Sequence, residues 1–101
     1  MRATLLAAGL ALALPPAPQG DELGRKVFTE LSQPPCLLCH TLKAAGAEGI
    51  IGPSLDELKP DLDKALQAVR NGVGVMPAFR DKLTPAQIDA VARFVSENAG
   101  K

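Results

Sequence analysis

Both cysteines of this 101-residue chain lie in one pentapeptide, Cys36-Leu37-Leu38-Cys39-His40. Two thiols three residues apart fall on the same side of a helical turn, and an imidazole follows directly. This is the spacing of covalent haem attachment, in which each thiol adds across one vinyl group and the histidine reaches the iron. We therefore expect one covalently bound haem, held through Cys36 and Cys39, with His40 as an iron ligand.

Three other uses of such cysteines are alternatives to haem attachment. A thioredoxin-like Cys-x-x-Cys needs a preceding strand in a βαβ unit, which the pattern around Cys36 does not indicate. A structural zinc site needs four ligands, whereas Cys36, Cys39 and His40 supply three. A disulfide would explain the cysteines but not the adjacent histidine. These alternatives stay open, and the sequence favours haem.

A second iron ligand is expected from the segment around Met76. Met1 lies in the predicted leader, so Met76 is the only methionine expected in the mature chain. It lies between Gly74 and Pro77, outside the apolar stripes of the predicted helices. A thioether is a soft ligand, and paired Met and His ligation of haem raises its reduction potential. The alternative is that Met76 merely packs within its loop.

The N-terminal 20 residues have the pattern of a secretory signal peptide. Arg2 is followed by an apolar run over residues 3–14, and Pro15 and Pro16 interrupt it. Twelve apolar residues are too few to cross a bilayer, which takes about 20. We expect cleavage between residues 17 and 20, a mature domain over residues 21–101, and export to the periplasm. A buried helix and an uncleaved anchor are the alternatives.

The mature segment is predicted to be all-α, with three main helices and two long loops. Apolar periodicity places helices over residues 21–31 and 60–71, and a third begins after Thr84, where Pro85 and Gln87 complete a capping box. Residues 41–59 and 73–83 are left as loops. Only 3% of the residues are aromatic, so the core of this small chain needs further stabilisation by a disulfide, a metal or a cofactor. We expect the loops to wrap a cofactor.

The mature chain resembles a short bacterial class I cytochrome c. Gly24 and Phe28 resemble the Gly-x-x-x-aromatic pattern of the family's first helix, which crosses the last helix near an aromatic residue, here Phe94. The haem pentapeptide and the Met76-Pro77 dipeptide match the family's attachment and axial-ligand segments. The resemblance implies the cytochrome c fold, one covalent haem c, and axial ligation by His40 and Met76.

The segment Gly52-Pro53-Ser54-Leu55 resembles the family's Gly-Pro-Asn-Leu turn. In the family the proline carbonyl accepts the imidazole Nδ1–H, so the resemblance implies that Pro53 orients His40. Ser54 departs from the commoner asparagine, which leaves the family's side-chain contact there unassigned.

Several residues are candidates to line or approach the haem. The apolar candidates for contact are Leu31, Leu38, Ile50, Ile51, Leu55, Leu66, Val69 and Phe79. The glycines expected to allow close backbone approach are Gly46, Gly49 and Gly52. Arg80 and Lys82 are basic neighbours of the Met76 segment, for which pairing with a propionate and a solvated surface position are both considered.

The resemblance implies a periplasmic monohaem electron carrier rather than an enzyme. Iron bound by both His40 and Met76 has no position for substrate, which favours outer-sphere electron transfer. The alternative is a peroxidase-like haem enzyme or a gas-binding protein with a labile Met76.

Partners are expected to be other redox proteins. Eleven basic residues balance eleven acidic ones, which argues against nucleic acid as a partner. We expect a periplasmic dehydrogenase as electron donor and an oxidase or another cytochrome as acceptor. We expect no membrane association after signal removal, and a monomer when the protein is free of its partners. Residues 29–35, before the haem motif, and residues 52–60 also resemble small cytochromes that serve periplasmic dehydrogenases, among them the cytochrome subunits of sulfite dehydrogenases. Candidate docking residues are Leu37, Leu38, Val75 and Ala78.

Overall fold

The computed structural model describes residues 21–101, so the predicted signal peptide lies outside the described residues. The elements in chain order are α1 (Asp21–Lys26), a π-helical continuation (Val27–Leu31), a 3-10 turn (Cys36–Leu38), β1 (Thr41–Leu42), a second 3-10 turn (Lys43–Ala45), β2 (Ala47–Glu48), α2 (Leu55–Leu58), α3 (Leu62–Asn71) and α4 (Pro85–Asn98). In residues 21–101 no helix is long and apolar enough to cross a membrane.

The first and last helices cross at Gly24, as the sequence predicts. A Cβ atom built on Gly24 would lie 2.5 Å from the Ala90 carbonyl oxygen and would clash with Phe94 Cβ. The absent side chain therefore lets the two backbones approach each other. Phe28 and Phe94 are fully buried, with their ring centroids 6.1 Å apart. This aromatic pair anchors the hydrophobic core on the side of α1 and α4.

Helix α4 begins as predicted. The Thr84 hydroxyl accepts a hydrogen bond from Gln87 N at 3.1 Å, and the Gln87 side chain accepts one from Thr84 N at 2.9 Å. This capping box satisfies two N–H groups that would otherwise lack partners, and Pro85 occupies the first turn, where its missing N–H costs nothing. The local sequence is sufficient to define this helix start.

Helix α3 begins at Leu62, two residues later than predicted. Asp61 is the N-cap, because its side chain accepts from Lys64 N at 2.8 Å. Pro60 therefore precedes the helix. The predicted C-terminal end is confirmed at Asn71, where Gly72 adopts a φ of 77° and its N–H bonds to Ala68 O.

The prediction that residues 41–59 form a loop without regular structure was wrong in detail. Strands β1 and β2 pair antiparallel, with Thr41 opposite Glu48 and Leu42 opposite Ala47. Ser54 caps the single-turn helix α2 by accepting from Glu57 N. These elements are too short for periodicity to reveal, and the fold remains mainly helical, as expected.

Asp56 fastens this segment to two distant parts of the chain. Its carboxylate oxygens accept from Lys43 N at 2.8 Å and from Gly100 N at 2.7 Å. These bonds lower the pKa of Asp56 below its ordinary value of 3.8, and the bond from Gly100 has the larger effect. A lowered folded-state pKa stabilises the protein above the unfolded-state pKa, and that contribution is lost as the pH falls through the folded-state value.

Replacement of Asp56 by asparagine should lower the urea midpoint of unfolding at pH 7. In asparagine an NH2 group replaces one of the two carboxylate oxygens, so either Lys43 N or Gly100 N loses its hydrogen-bond acceptor. The gap between variant and parent should narrow as the pH falls below 3.8, since the parent then also loses the carboxylate. Asp63→Asn, which removes a carboxylate from the first turn of α3, is the control for charge alone. Equal midpoints for Asp56→Asn and parent at pH 7 would contradict this role.

Candidate functional site

The pentapeptide Cys36–His40 forms a tight turn on one wall of a large cleft. Pro35 is extended, and from Cys36 the chain turns as a 3-10 helix. The N–H groups of Cys39 and His40 both bond to Cys36 O, at 3.2 and 3.1 Å. Cys36, Cys39 and His40 all line the cleft. The short spacing in sequence thus becomes a cluster of two thiols and an imidazole at one wall.

Cys36 and Cys39 form no disulfide in the part of the chain that the structure describes. Burial raises the pKa of Cys36, outweighing the lowering effect of its contact with the Ser32 side chain. A raised pKa reduces the thiolate fraction, which is the opposite of what a redox-active Cys-x-x-Cys requires. Within residues 21–101 no group of three or more His, Cys, Asp or Glu side chains is placed to hold a metal ion. The raised pKa of Cys36 does not favour the thioredoxin alternative.

Pro53 lies where it orients His40. The His40 Nδ1 and Pro53 O atoms are 2.8 Å apart. A carbonyl only accepts, so Nδ1 carries the proton and Nε2 keeps its lone pair for another partner. Gly52 N donates to Cys39 O at 2.7 Å, which fastens the two segments together.

Gly52 is required beside the imidazole. A Cβ on Gly52 would lie 2.8 Å from His40 Cε1. Gly49 is similarly close to the backbone of Leu38 and Cys39, whereas a Cβ on Gly46 would meet nothing within 4 Å. Gly46 instead has a φ of 65° and ends a 3-10 turn. Gly49 and Gly52 thus allow close approach to the segment from Leu38 to His40, and of the three glycines only Gly52 is in the cleft lining, while their predicted approach to the haem stays a prediction.

Met76 lines the same cleft, on a short turn between α3 and α4. Its backbone exchanges two hydrogen bonds with Val73, at 3.1 and 2.9 Å. The turn can close because Gly72 has a positive φ and no Cβ, which would otherwise lie 2.7 Å from Met76 O. Phe79 N donates to Val69 O at 2.8 Å and fixes the far end of the segment. Met76 is half-buried against the core.

The cleft has a volume of about 860 Å³ and a largely apolar lining. Such a volume lies near the upper end of the range for small-molecule and cofactor sites, about 300–1,000 Å³. Four large apolar side chains of the lining, Ile51, Leu58, Val73 and Val75, are 57–94% exposed. Their exposure indicates that the protein alone does not complete this wall of its core.

The predicted contact residues are divided between the cleft and other surfaces. Ile51, Leu55, Val69 and Phe79 line the cleft, and Leu31, Leu38, Ile50 and Leu66 are outside its lining. Sequence reasoning missed Pro34, Pro35, Val91 and Val95 as lining residues. Helical periodicity indicated the buried face of α4 but not which part of that face borders a cavity.

The basic residues considered for propionate pairing are also outside the lining. The Arg80 guanidinium donates to Asn71 Oδ1, and Lys82 Nζ donates to Gln33 O at 3.4 Å. Polar residues that do line the cleft include Lys59, Lys64 and Gln67.

Comparison with known proteins agrees with this geometry. The model of the family described as cytochrome c oxidase, cbb3-type, subunit III matches residues 21–95. The chain belongs to the cytochrome c family. Cytochrome c6 from Gloeothece citriformis is 38% identical over 95 residues, which cover 85% of this chain and 79% of that protein. Cytochrome c6 from Bryopsis maxima is 35% identical over 86 residues, covering 78% and 93%.

A solved structure matches the fold closely. The crystal structure of the c-type cytochrome SorU from Sinorhizobium meliloti superposes with a TM-score of 0.75 at 56% identity, covering 78% of this chain and 90% of that one. The chain is therefore a small monohaem cytochrome c with the cytochrome c fold, and it carries one covalently bound haem c, as the sequence predicted.

The residues of the cleft fit this cofactor. Two thiols and an imidazole with a lone pair on Nε2 border an apolar cleft, and a thioether borders the same cleft. The four exposed apolar side chains of the lining are those that a flat apolar macrocycle would cover. Because the apolar lining includes residues of α2, α3 and α4, the bound group would connect elements that are distant in sequence.

Replacing Gly52 by alanine should disturb the imidazole. The added Cβ would overlap His40 Cε1, so we expect a loss of about 1–3 kcal/mol in unfolding free energy and a changed visible spectrum of the haem protein. Gly46→Ala is the control, because the added Cβ meets no neighbour. This substitution costs roughly 1–2 kcal/mol for the left-handed backbone and should leave the haem spectrum unchanged. An unchanged spectrum in Gly52→Ala would show that a Cβ at this position does not displace the His40 imidazole.

Proposed function

We propose that this cytochrome c carries single electrons between redox proteins in the periplasm, by outer-sphere transfer at an iron bound by His40 and Met76. The observation that supports this most is the pairing of His40 Nδ1 with Pro53 O at 2.8 Å, while the thioether of Met76 borders the same cleft. The haem supplies an iron that gains and loses one electron.

Cys36 and Cys39 are proposed to hold the cofactor by two thioether bonds. Both are free, both border the cleft, and the 3-10 turn keeps them close together. Covalent attachment prevents loss of the cofactor from a domain that exposes much of its binding cleft. It also fixes the position of His40 relative to the macrocycle, since the imidazole follows Cys39 directly.

Pro53 is proposed to act on the iron through His40. Its carbonyl holds Nδ1–H, which selects the tautomer with a free Nε2 and limits rotation of the ring. A hydrogen-bonded Nδ1 also makes Nε2 a stronger electron donor. Because α2 follows Pro53 and is fastened by Asp56 to Lys43 and Gly100, this carbonyl belongs to a well-fixed segment.

Met76 is proposed as the second iron ligand. A neutral, soft sulfur favours the ferrous state and holds the reduction potential high. With two protein ligands, no coordination position is left for oxygen, peroxide or substrate, which favours a carrier over an enzyme. Ligands that stay the same in both oxidation states also keep the structural change on electron transfer small.

Export and partners complete the proposal. Residues 1–20 have the composition of a cleaved signal peptide, which supports periplasmic location of the domain over residues 21–101. We propose a periplasmic dehydrogenase as donor, as the resemblance to sulfite dehydrogenase cytochromes suggests, and an oxidase or another cytochrome as acceptor. Balanced charge argues for docking through a small apolar surface. Of the expected docking residues, Leu38, Val75 and Ala78 are exposed, and Leu37 is partly buried against the core.

Replacing Met76 by alanine should lower the reduction potential and open a coordination position. Reduced Met76→Ala protein should bind carbon monoxide readily, whereas the parent should bind it poorly. Haem should stay attached in the variant, because Cys36 and Cys39 are unchanged. Spectroelectrochemistry combined with a carbon monoxide titration measures each of these outcomes.

Met76→His is the matched control. It restores a second ligand, so carbon monoxide binding should again be poor, while the potential stays low because the soft sulfur is gone. If the parent binds carbon monoxide as readily as Met76→Ala, then Met76 is not a ligand. That result would favour the enzymatic or gas-binding alternative.

A further inference from the structure

Ser32 is a completely buried polar residue directly behind the haem attachment motif. It is 0% exposed, and it is the only buried polar side chain in residues 21–101. It follows the π-helical turn Val27–Leu31, and its N–H bonds to Val27 O at 3.1 Å. A buried hydroxyl is costly unless it is hydrogen-bonded, so its partners show what it does.

The Ser32 hydroxyl has three contacts, and two of them are with Cys36. Oγ is 2.9 Å from Val27 O, accepts from Cys36 N at 3.2 Å, and is 3.5 Å from Cys36 Sγ. The hydroxyl has one proton, and the Val27 carbonyl can only accept it. The arrangement that satisfies all three contacts has the thiol S–H donating to Oγ. The backbone and the sulfur of Cys36 are thus both held by one oxygen atom.

We propose that Ser32 is a positioning residue that fixes the Cys36 sulfur for thioether formation. This inference rests on the proposed attachment through Cys36 and Cys39. Cys36 borders the haem cleft, and a sulfur held in one rotamer from behind reaches a fixed point in that cleft. Cys39 receives no corresponding contact from Ser32, so the effect is specific to one of the two bonds.

The reaction that this contact assists needs no further reactant. The S–H of Cys36 adds across a vinyl double bond of the cofactor: an S–C bond forms at one carbon, and the hydrogen passes to the other. Nothing leaves, and no external oxidant or reductant is consumed. Ser32 takes no part in the bond changes and acts only on the direction of the sulfur.

The contact joins residues that are close in sequence. Ser32 and Cys36 are four residues apart, so the cost of closing the loop between them is small compared with that of closing the whole fold. The contact is present in the folded chain, where Ser32 is fully buried.

Ser32→Ala tests the proposal when the protein is produced with haem and then denatured and alkylated. A Cys36 that has not reacted with the vinyl group takes up the alkylating reagent, and peptide mapping locates the label. We expect label on Cys36 in a major share of Ser32→Ala molecules, and almost none on Cys39. The α band of the pyridine haemochrome should move to the red in proportion, because one vinyl group remains.

Thr29→Ala is the matched control for loss of a hydroxyl. Thr29 lies on the same π-helical turn, and its hydroxyl donates to Arg25 O at 3.0 Å. This variant also loses a hydroxyl that donates to a main-chain carbonyl, here at an exposed position, and should show both thioether bonds intact. If the proposed attachment is right, neither cysteine of the parent protein takes up the label. Label on the parent's cysteines would therefore contradict the attachment itself, and this result is distinct from a failure of the Ser32 proposal.

A double variant separates positioning from stability. Ser32→Ala should lower the yield of haem protein in the parent background but not in the Cys36→Ala background, where no sulfur needs to be placed. This comparison decides the matter even if Ser32→Ala alone yields no haem protein. The proposal is overturned if Ser32→Ala has both thioether bonds, or if it lowers the yield equally in both backgrounds.

Discussion

The hydrogen bond from His40 Nδ1 to Pro53 O joins the two segments on which the site depends. One is the turn that bears Cys36, Cys39 and His40, and the other leads into α2. The bond is 2.8 Å long, and a second one, from Gly52 N to Cys39 O, runs beside it at 2.7 Å. Neither segment is a long helix, so each relies on these contacts for its shape. Asp56 extends the connection to Lys43 and Gly100, and the imidazole is therefore held by bonds that reach the C-terminal end of the chain.

The cleft explains how so small a domain does without aromatic bulk. Three phenylalanines are its only aromatic residues. Phe28 and Phe94 pack with each other at the crossing of α1 and α4, and Phe79 borders the cleft. On the cleft side, exposed side chains such as Ile51 and Val75 need an apolar partner from outside the chain. The covalent haem of the cytochrome c family would supply that partner, so we expect cofactor binding to complete the core on this side.

What the sequence could predict depended on how local the determining contacts are. The start of α4 is set by Thr84, Pro85 and Gln87 alone, and it was confirmed. The start of α3 was predicted two residues too early. The Asp61 side chain accepts a hydrogen bond from Lys64 N and so caps the helix, and apolar periodicity contains no information about N-caps. The strands and α2 were missed because two to four residues carry no period. The cleft lining was only half right, as an apolar residue looks the same in sequence whether it faces core, cofactor or solvent. Nothing in the sequence singled out Ser32, whose role depends on burial.

The order of contacts along the chain also explains why Met76 differs from the other site residues. Cys36, Cys39 and His40 are neighbours, and Pro53 reaches them through a short segment. Met76 comes after α3, and its position depends on the turn at Gly72 and on the bond from Phe79 N to Val69 O. Its neighbours Val73 and Val75 are exposed in the polypeptide, so little apolar burial against the rest of the chain holds this turn apart from Met76 itself. Local opening takes place where the fewest buried contacts are lost. Release of the segment around Met76 would therefore leave the attachment motif and Pro53 in place, and the proposed bond from Met76 to the iron would be the contact that keeps this part of the fold closed.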